Sequence, residues 1–172
     1  MAIVPEVQDV STAFKTAMRR VPAAVTVITS AEGTLRHGMT VTAVTSLSMD
    51  PPSLIVCLNR KTLLHDILLL ARGFCVNVLR SEQVNLSAAF SGGMPPDQRF
   101  RVGAWDISTD GITFLTNAQA NMFCRKVAAI PFGSHSIFIG EVERVHARDP
   151  IDPLIYQDAA YCSSIPVDSS AV

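Results

Sequence analysis

Hydrophobic and polar positions change period several times along the chain, and each change predicts an element. The segment AFKTAMRR (residues 13–20) places Phe14, Ala17 and Met18 on one helical face, with Ser11 or Thr12 available as a cap and Pro22 as a stop. AAVTVITSA (23–31) is rich in β-branched and small residues and reads as a strand, with turn chemistry at Glu32-Gly33. HGMTVTAVTSLSM (37–49) reads as a second strand, ended by Asp50-Pro51-Pro52 because proline donates nothing to a ladder. SLIVCLN (53–59) follows as a buried third strand.

The period then lengthens. In KTLLHDILLLAR (61–72), Leu63, Leu64, Ile67, Leu68 and Ala71 fit an amphipathic helix ended by Gly73. FCVNVL (74–79) is a strand, and EQVNLSAAF (82–90) a short helix for which Ser81 is the candidate cap. Paired glycines and prolines make SGGMPPDQRF (91–100) a loop. ITFLT, NMFCRKVAAI, HSIFIGEVERVHA and LIYQDAAYC are read as four further strands. About seven strands with two or three helices, not in regular β–α alternation, argue against a doubly wound parallel sheet. They favour a closed or partly closed antiparallel barrel with peripheral helices.

Composition narrows the function. Of 172 residues, 48% are apolar and 17% charged, against a usual charged share of about 25%. A surface so short of charge is expected to be covered, by a second copy of the chain or by a cofactor. Net charge is −1 and the basic residues are scattered, which disfavours a nucleic-acid partner. MAIVPEVQDVSTAF contains no basic region leading into an apolar one, and no apolar run approaches the length of a membrane span. A cytoplasmic protein is expected. Cys57, Cys75, Cys124 and Cys162 are far apart and read as reduced thiols. With His37, His65, His135 and His146 they make no ligand-spaced cluster, so no metal site is expected.

Several stretches carry candidate chemistry. GTLRHGMT (33–40) has Walker-like glycine spacing, but Met39 stands in place of the essential lysine and the glycines join strands, so it is a hairpin turn. No GxGxxG follows a strand, which excludes a Rossmann-type dinucleotide site. In TVTAVTSLS (40–48) hydroxyl residues fall on both faces of the pleat, suiting either a flat ligand lying close or a polar, solvent-facing strand. NRKT (59–62) offers a hydroxyl and a cation at a helix start, suiting either an anion or a plain cap by Thr62. GSHSIF (133–138) puts a titratable ring at the mouth of a strand, where it serves a ligand or caps the strand.

The run GMTVTAVTSLSMDPPSLIVCLNRKT, then FCVNVL, SAAFSG and GSHSIFIGEVERV, in that order, resembles the flavin reductase family, the small NAD(P)H-dependent reductases that accompany two-component flavin monooxygenases. The resemblance implies a tail over 1–13, a flavin reductase-like domain over 14–164 and a tail over 165–172. It also implies a Greek-key split β-barrel of the FMN-binding type and a homodimer with flavin near the subunit interface. Thr45, Ser46 and Ser48 would lie along the isoalloxazine, Asn59, Lys61 and Thr62 would hold the ribityl chain and phosphate, and Ala89, Phe90 and Ser91 would flank the flavin. Tyr161 would lie where the site closes, and His135 near the nicotinamide. Ser134 stands where the family commonly has Asp. The implied reaction is hydride transfer from NADH or NADPH to FMN or FAD, with reduced flavin passed to a separate oxygenase. A non-catalytic flavin-binding barrel is the alternative.

Overall fold

In a computed structural model, which describes residues 9–167, the serine- and threonine-rich run 37–49 is not one strand but two. In chain order the elements are α1 (Val10–Met18), β1 (Ala23–Ala24), β2 (Thr26–Glu32), β3 (Leu35–Val41), β4 (Val44–Met49), β5 (Pro52–Asn59), α2 (Leu63–Leu70) and β6 (Gly73–Val78). They continue with α3 (Val84–Ala88), β7 (Trp105–Ile107), β8 (Thr113–Leu115), β9 (Ala120–Phe132), β10 (His135–Ala147), β11 (Leu154–Gln157) and β12 (Ala160–Ser163). Residues 1–8 and 168–172 of the expected tails lie outside the described residues.

Seven strands form the main sheet in the order β3-β2-β6-β9-β10-β5-β4, every pair antiparallel. β3 and β4 are therefore opposite edges, yet only Thr42 and Ala43 separate them. Laid flat, the six gaps between strands would span about 29 Å. Three residue steps reach roughly 10 Å. The sheet must roll until its edges meet at Thr42–Ala43, where Val44 N donates to Thr42 O at 3.0 Å and Cys57 N to Ala43 O at 3.0 Å. The result is the expected split barrel, with the β9–β10 hairpin inserted between β6 and β5. Nothing in VTAV marks a corner, since it lacks glycine and proline.

Inward side chains of the barrel (Ile28, Val41, Leu54, Val56, Leu58, Phe74, Val76 and Phe138) form one core, sealed by Leu64 and Leu68 of α2. Leu63 is 44% exposed and His65 takes its expected place on the buried face. A second core, with Val27, Leu79, Leu86, Phe90 and Leu115, packs outside β2 and β6. Cys75 and Cys124 are reduced and buried, and burial pushes the Cys124 thiol up to about 12. Among the described residues no helix is long and apolar enough to cross a membrane.

Local chemistry corrects three expectations. Asp9, not Ser11 or Thr12, caps α1, its carboxylate accepting from Thr12 N at 3.2 Å. Ser81 is drawn away to Asp152 at 2.5 Å, and Gln83, at the cap position before α3, makes no side-chain cap bond. LIYQDAAYC is a hairpin, β11–β12, turned by Asp158 and Ala159 at φ 49° and 62°. Both central residues in the left-handed region match the twist of the strands they join.

His37 is buried on β3, and its Nε2 lies 3.5 Å from Arg99 Nη1. Burial first, and the guanidinium second, hold its pKa down at about 4. The fold therefore contains neutral His37, whereas the unfolded chain takes up a proton below about 6.5. The stability this contributes is complete above pH 6.5 and is lost as pH falls toward 4. Urea melts of wild type should weaken across that window, and His37→Gln should flatten the decline; parallel profiles would remove His37 as the cause.

Candidate active site

Strand register decides which expected site residues meet. Leu54, Val56 and Leu58 of β5 point into the barrel, so Ser53, Ile55, Cys57 and Asn59 point outward. Thr45 pairs with Ile55, and His135 pairs with Asn59 across β10, so both share the outer face. Ser46 pairs with Leu54 and belongs to the other face. Ser48 would follow it, but a bulge at Leu47 pairs Ser48 with Ser53 and returns it to the outer face beside Thr45. Its hydroxyl is committed to the turn, accepting from Asp50 N at 3.0 Å.

At the far end of β5 two turns are tied together. Arg60 N donates to Ser134 O at 3.0 Å, and Lys61 N donates to Asn59 Oδ1 at 3.0 Å. Thr62 caps α2, accepting from His65 N at 3.4 Å and donating to Asn59 O at 2.8 Å. Gly133, at φ 54°, opens the two-residue β9–β10 turn, which makes His135 the first residue of its strand. The His135 ring is exposed, and Ser134 Oγ lies 2.8 Å from its Nδ1. Asn59, Lys61, Thr62 and His135 are thus gathered at one end of β5, while Thr45, opposite Ile55, shares their outer face about 13 Å along the strand. Thr62→Ala should cost about 1 kcal/mol and lower Tm by roughly 2–4 °C; an unchanged melt would show the cap to be idle.

The remaining expected residues form a second group beyond the corner. Ser91 Oγ donates to Ser87 O at 3.0 Å, and Tyr161 Oη lies 3.0 Å from Ser87 Oγ. Thr40 Oγ1 donates to the same Ser87 carbonyl at 2.7 Å, which fastens the group to β3. Ala89 and Phe90 are turned away, and the Phe90 ring packs on Phe100 and Trp105 in the second core. Any ligand contact there would use backbone atoms.

A cleft of about 1130 Å³ opens beside Thr45, the one expected site residue on its lining. Thr42, Ala43, Val44, Thr45, Ile55 and Cys57 form its floor, α1 one wall, and Tyr156 with the β11–β12 turn the other. β4 is bonded to β5 on one side only, so its free edge offers peptide donors and acceptors next to an apolar floor. A flat heteroaromatic ring with one polar and one apolar edge fits this arrangement. Sequence reading missed Tyr156, and it missed Ile55 and Cys57 because LIVCL (54–58) is apolar throughout and shows no alternation.

The flavin reductase like domain model matches residues 18–164. The chain belongs to this family. It is 52% identical, over 92% of its own length and 89% of the relative's, to the reductase component of the FADH(2)-dependent resorcinol hydroxylase of Rhizobium sp. (strain MTP-10005). It is 38% identical to the FMN reductase (NADH) RutF of Stutzerimonas stutzeri, covering 83% and 82% of the two chains. A putative flavin reductase from Haemophilus somnus superposes with a TM-score of 0.86 at 31% identity, over 91% of this chain and all of the other. The protein is a flavin reductase, an oxidoreductase.

His65 was not singled out from the sequence. It lies on the buried face of α2, with Nε2 3.0 Å from Ser136 Oγ and its ring edge-on to Phe138. It fixes the start of α2 to the strand that carries His135.

Proposed function

We propose that this flavin reductase uses NADH to reduce FAD or FMN and releases the reduced flavin to a separate flavin-dependent hydroxylase. The observation that carries the reading is the shared outer face of Thr45, Asn59 and His135, leading into the cleft, in a chain 52% identical to the reductase component of such a hydroxylase. When bound, the nicotinamide supplies a hydride from C4 and the flavin accepts it at N5. The free edge of β4 and the Thr45 hydroxyl serve the polar edge of the ring. Asn59, Lys61 and Thr62 hold the phosphate end, with Lys61 as the exposed cation. His135 orients the hydride donor, and the cleft limits water. Alignment at near-attack distance provides most of the acceleration, so no general base is required. Anaerobic addition of NADH to protein and flavin should bleach the oxidised-flavin absorbance rapidly; no bleaching with FMN or FAD leaves a flavin-binding barrel without this activity.

The same outer face supports a homodimer. Ile55, Cys57, Ile137 and Ile139 alternate outward, beside Ile130 at 49% and Phe132 at 81% exposure. A water-facing sheet surface would be polar at these positions. A second copy covering it accounts for the charge-poor composition and closes the site from the side of His135. Ile137→Glu should raise the dimer dissociation constant at least tenfold, about 1.4 kcal/mol, in sedimentation equilibrium; a monomeric wild type would reject the interface.

A further inference from the structure

His135 stands on the outer face of β10, and both of its neighbours in the chain are held by the segment that opens α2. On one side Arg60 N donates to Ser134 O at 3.0 Å, and Arg60 Nη1 reaches Gly133 O at 3.5 Å. On the other, Ser136 points inward like Phe138, and its Oγ lies 3.0 Å from His65 Nε2. His65 belongs to the first turn of α2, and its own N–H meets the Thr62 hydroxyl at 3.4 Å. One residue therefore joins turn 59–62 to the strand that carries His135. The join is made where the barrel has little else to hold it. Past Lys126, β9 pairs with β10 and no other strand, so the mouth of the β9–β10 hairpin hangs from β5 alone.

The bond between His65 and Ser136 has a direction. Asp66 places Oδ1 3.2 Å from His65 Nδ1. A carboxylate only accepts, so the neutral ring carries its proton on Nδ1 and leaves Nε2 to accept from the Ser136 hydroxyl. Asp, His and Ser in this order also make up a hydrolytic triad. Here, however, His65 is 5% exposed and Ser136 4%, and the imidazole lies edge-on against the core ring of Phe138. No substrate can meet a hydroxyl buried there, so Ser136 is a support and not a nucleophile.

We propose that His65 is a positioning residue for hydride transfer: through Ser136 it holds His135 at a set height against turn 59–62, and so sets the hydride donor relative to the flavin. This deepens the reductase reading and rests on it for the roles of His135 and of the turn. Alignment at near-attack distance falls off steeply with displacement, so a support beneath the orienting ring acts on rate more than on flavin affinity.

Anaerobic stopped-flow at saturating NADH, paired with flavin titration and circular dichroism, separates alignment from stability. Ser136→Ala should slow flavin reduction about three- to tenfold, the usual contribution of one neutral hydrogen bond, while flavin affinity stays within about twofold. Ser136→Thr keeps the hydroxyl and should restore the rate, whereas a bond that served stability alone would leave the rate of folded Ser136→Ala untouched. In a His135→Ala background, Ser136→Ala should slow the reaction no further, because the group it positions is gone. Where His135→Ala slows reduction, additive losses in the double variant, or a full rate in folded Ser136→Ala, overturn the proposal. Carbon relaxation of an isotopically labelled His135 ring reads the support without turnover: the ring should loosen in Ser136→Ala, and an unchanged ring overturns the strut. A loosened ring beside an undiminished rate in His135→Ala leaves the strut standing and sinks the reading of His135 as the donor's guide.

Discussion

Asn77→Ala is expected to remove about 3–4 kcal/mol of folding stability, the largest loss that a single polar substitution should cause in this chain. Asn77 is fully buried on β6. Its Nδ2 donates to Val27 O at 2.7 Å and Thr29 Oγ1 at 3.1 Å, while Oδ1 accepts from Leu115 N at 2.8 Å and Asn121 Nδ2 at 2.9 Å. One amide thereby joins β2, β6, β9 and the end of β8. Alanine leaves the Leu115 N–H without this acceptor, at about 1–3 kcal/mol for a buried group, and weakens three more bonds. Urea titration at fixed protein concentration should show a lower midpoint with unchanged slope, and Tm should drop by roughly 6–16 °C. A loss below about 1 kcal/mol would mean that water or relaxation satisfies the freed groups. Asn77→Asp separates the two sides: it keeps the acceptor for Leu115 and gives up the donors to Val27 and Thr29.

The sequence made most strands legible because their periodicity is a property of each segment alone. FCVNVL, NMFCRKVAAI and HSIFIGEVERVHA became β6, β9 and β10 with small shifts at the ends. What it did not reveal depends on contacts between distant segments. The corner at Thr42–Ala43 follows from the sheet edges meeting, and neither residue type signals a break. The short strand β7, at Trp105–Ile107, exists because it pairs with β8, and three residues show no period. The Asp158-Ala159 turn lacks the glycine that would have announced a hairpin.

The site divides along the same line. Asn59, Lys61, Thr62 and His135 are grouped by turns whose residues mark themselves in sequence, Gly133 above all. Ser46 and Ser48 were read as equivalent, and only the bulge at Leu47 sends them to opposite faces. Phe90 lies in the matching loop, yet its ring belongs to a core assembled from Phe100 and Trp105. Position in a motif located the backbone and left the side chain to packing.

His135→Ala should slow reduction of bound flavin by NADH about 10- to 100-fold, or 1.4–2.8 kcal/mol in the barrier. The ring stands exposed at the first position of β10, opposite Asn59, with Ser134 Oγ at Nδ1 and no protein partner for Nε2 among the described residues. Serine in place of a carboxylate supplies orientation through a neutral hydroxyl, a weaker constraint than a charge-assisted bond. A ring so placed can steer the nicotinamide, and losing it costs alignment, while the hydride still moves between the two cofactors. Anaerobic stopped-flow with wild type and variant reads this rate directly, and flavin titration separates it from flavin affinity. Equal rates would reduce His135 to a strand cap, leaving the reductase intact. A loss of four or more orders, beyond about 5 kcal/mol, would show that the histidine transfers a proton in the limiting step and that alignment alone is the wrong mechanism.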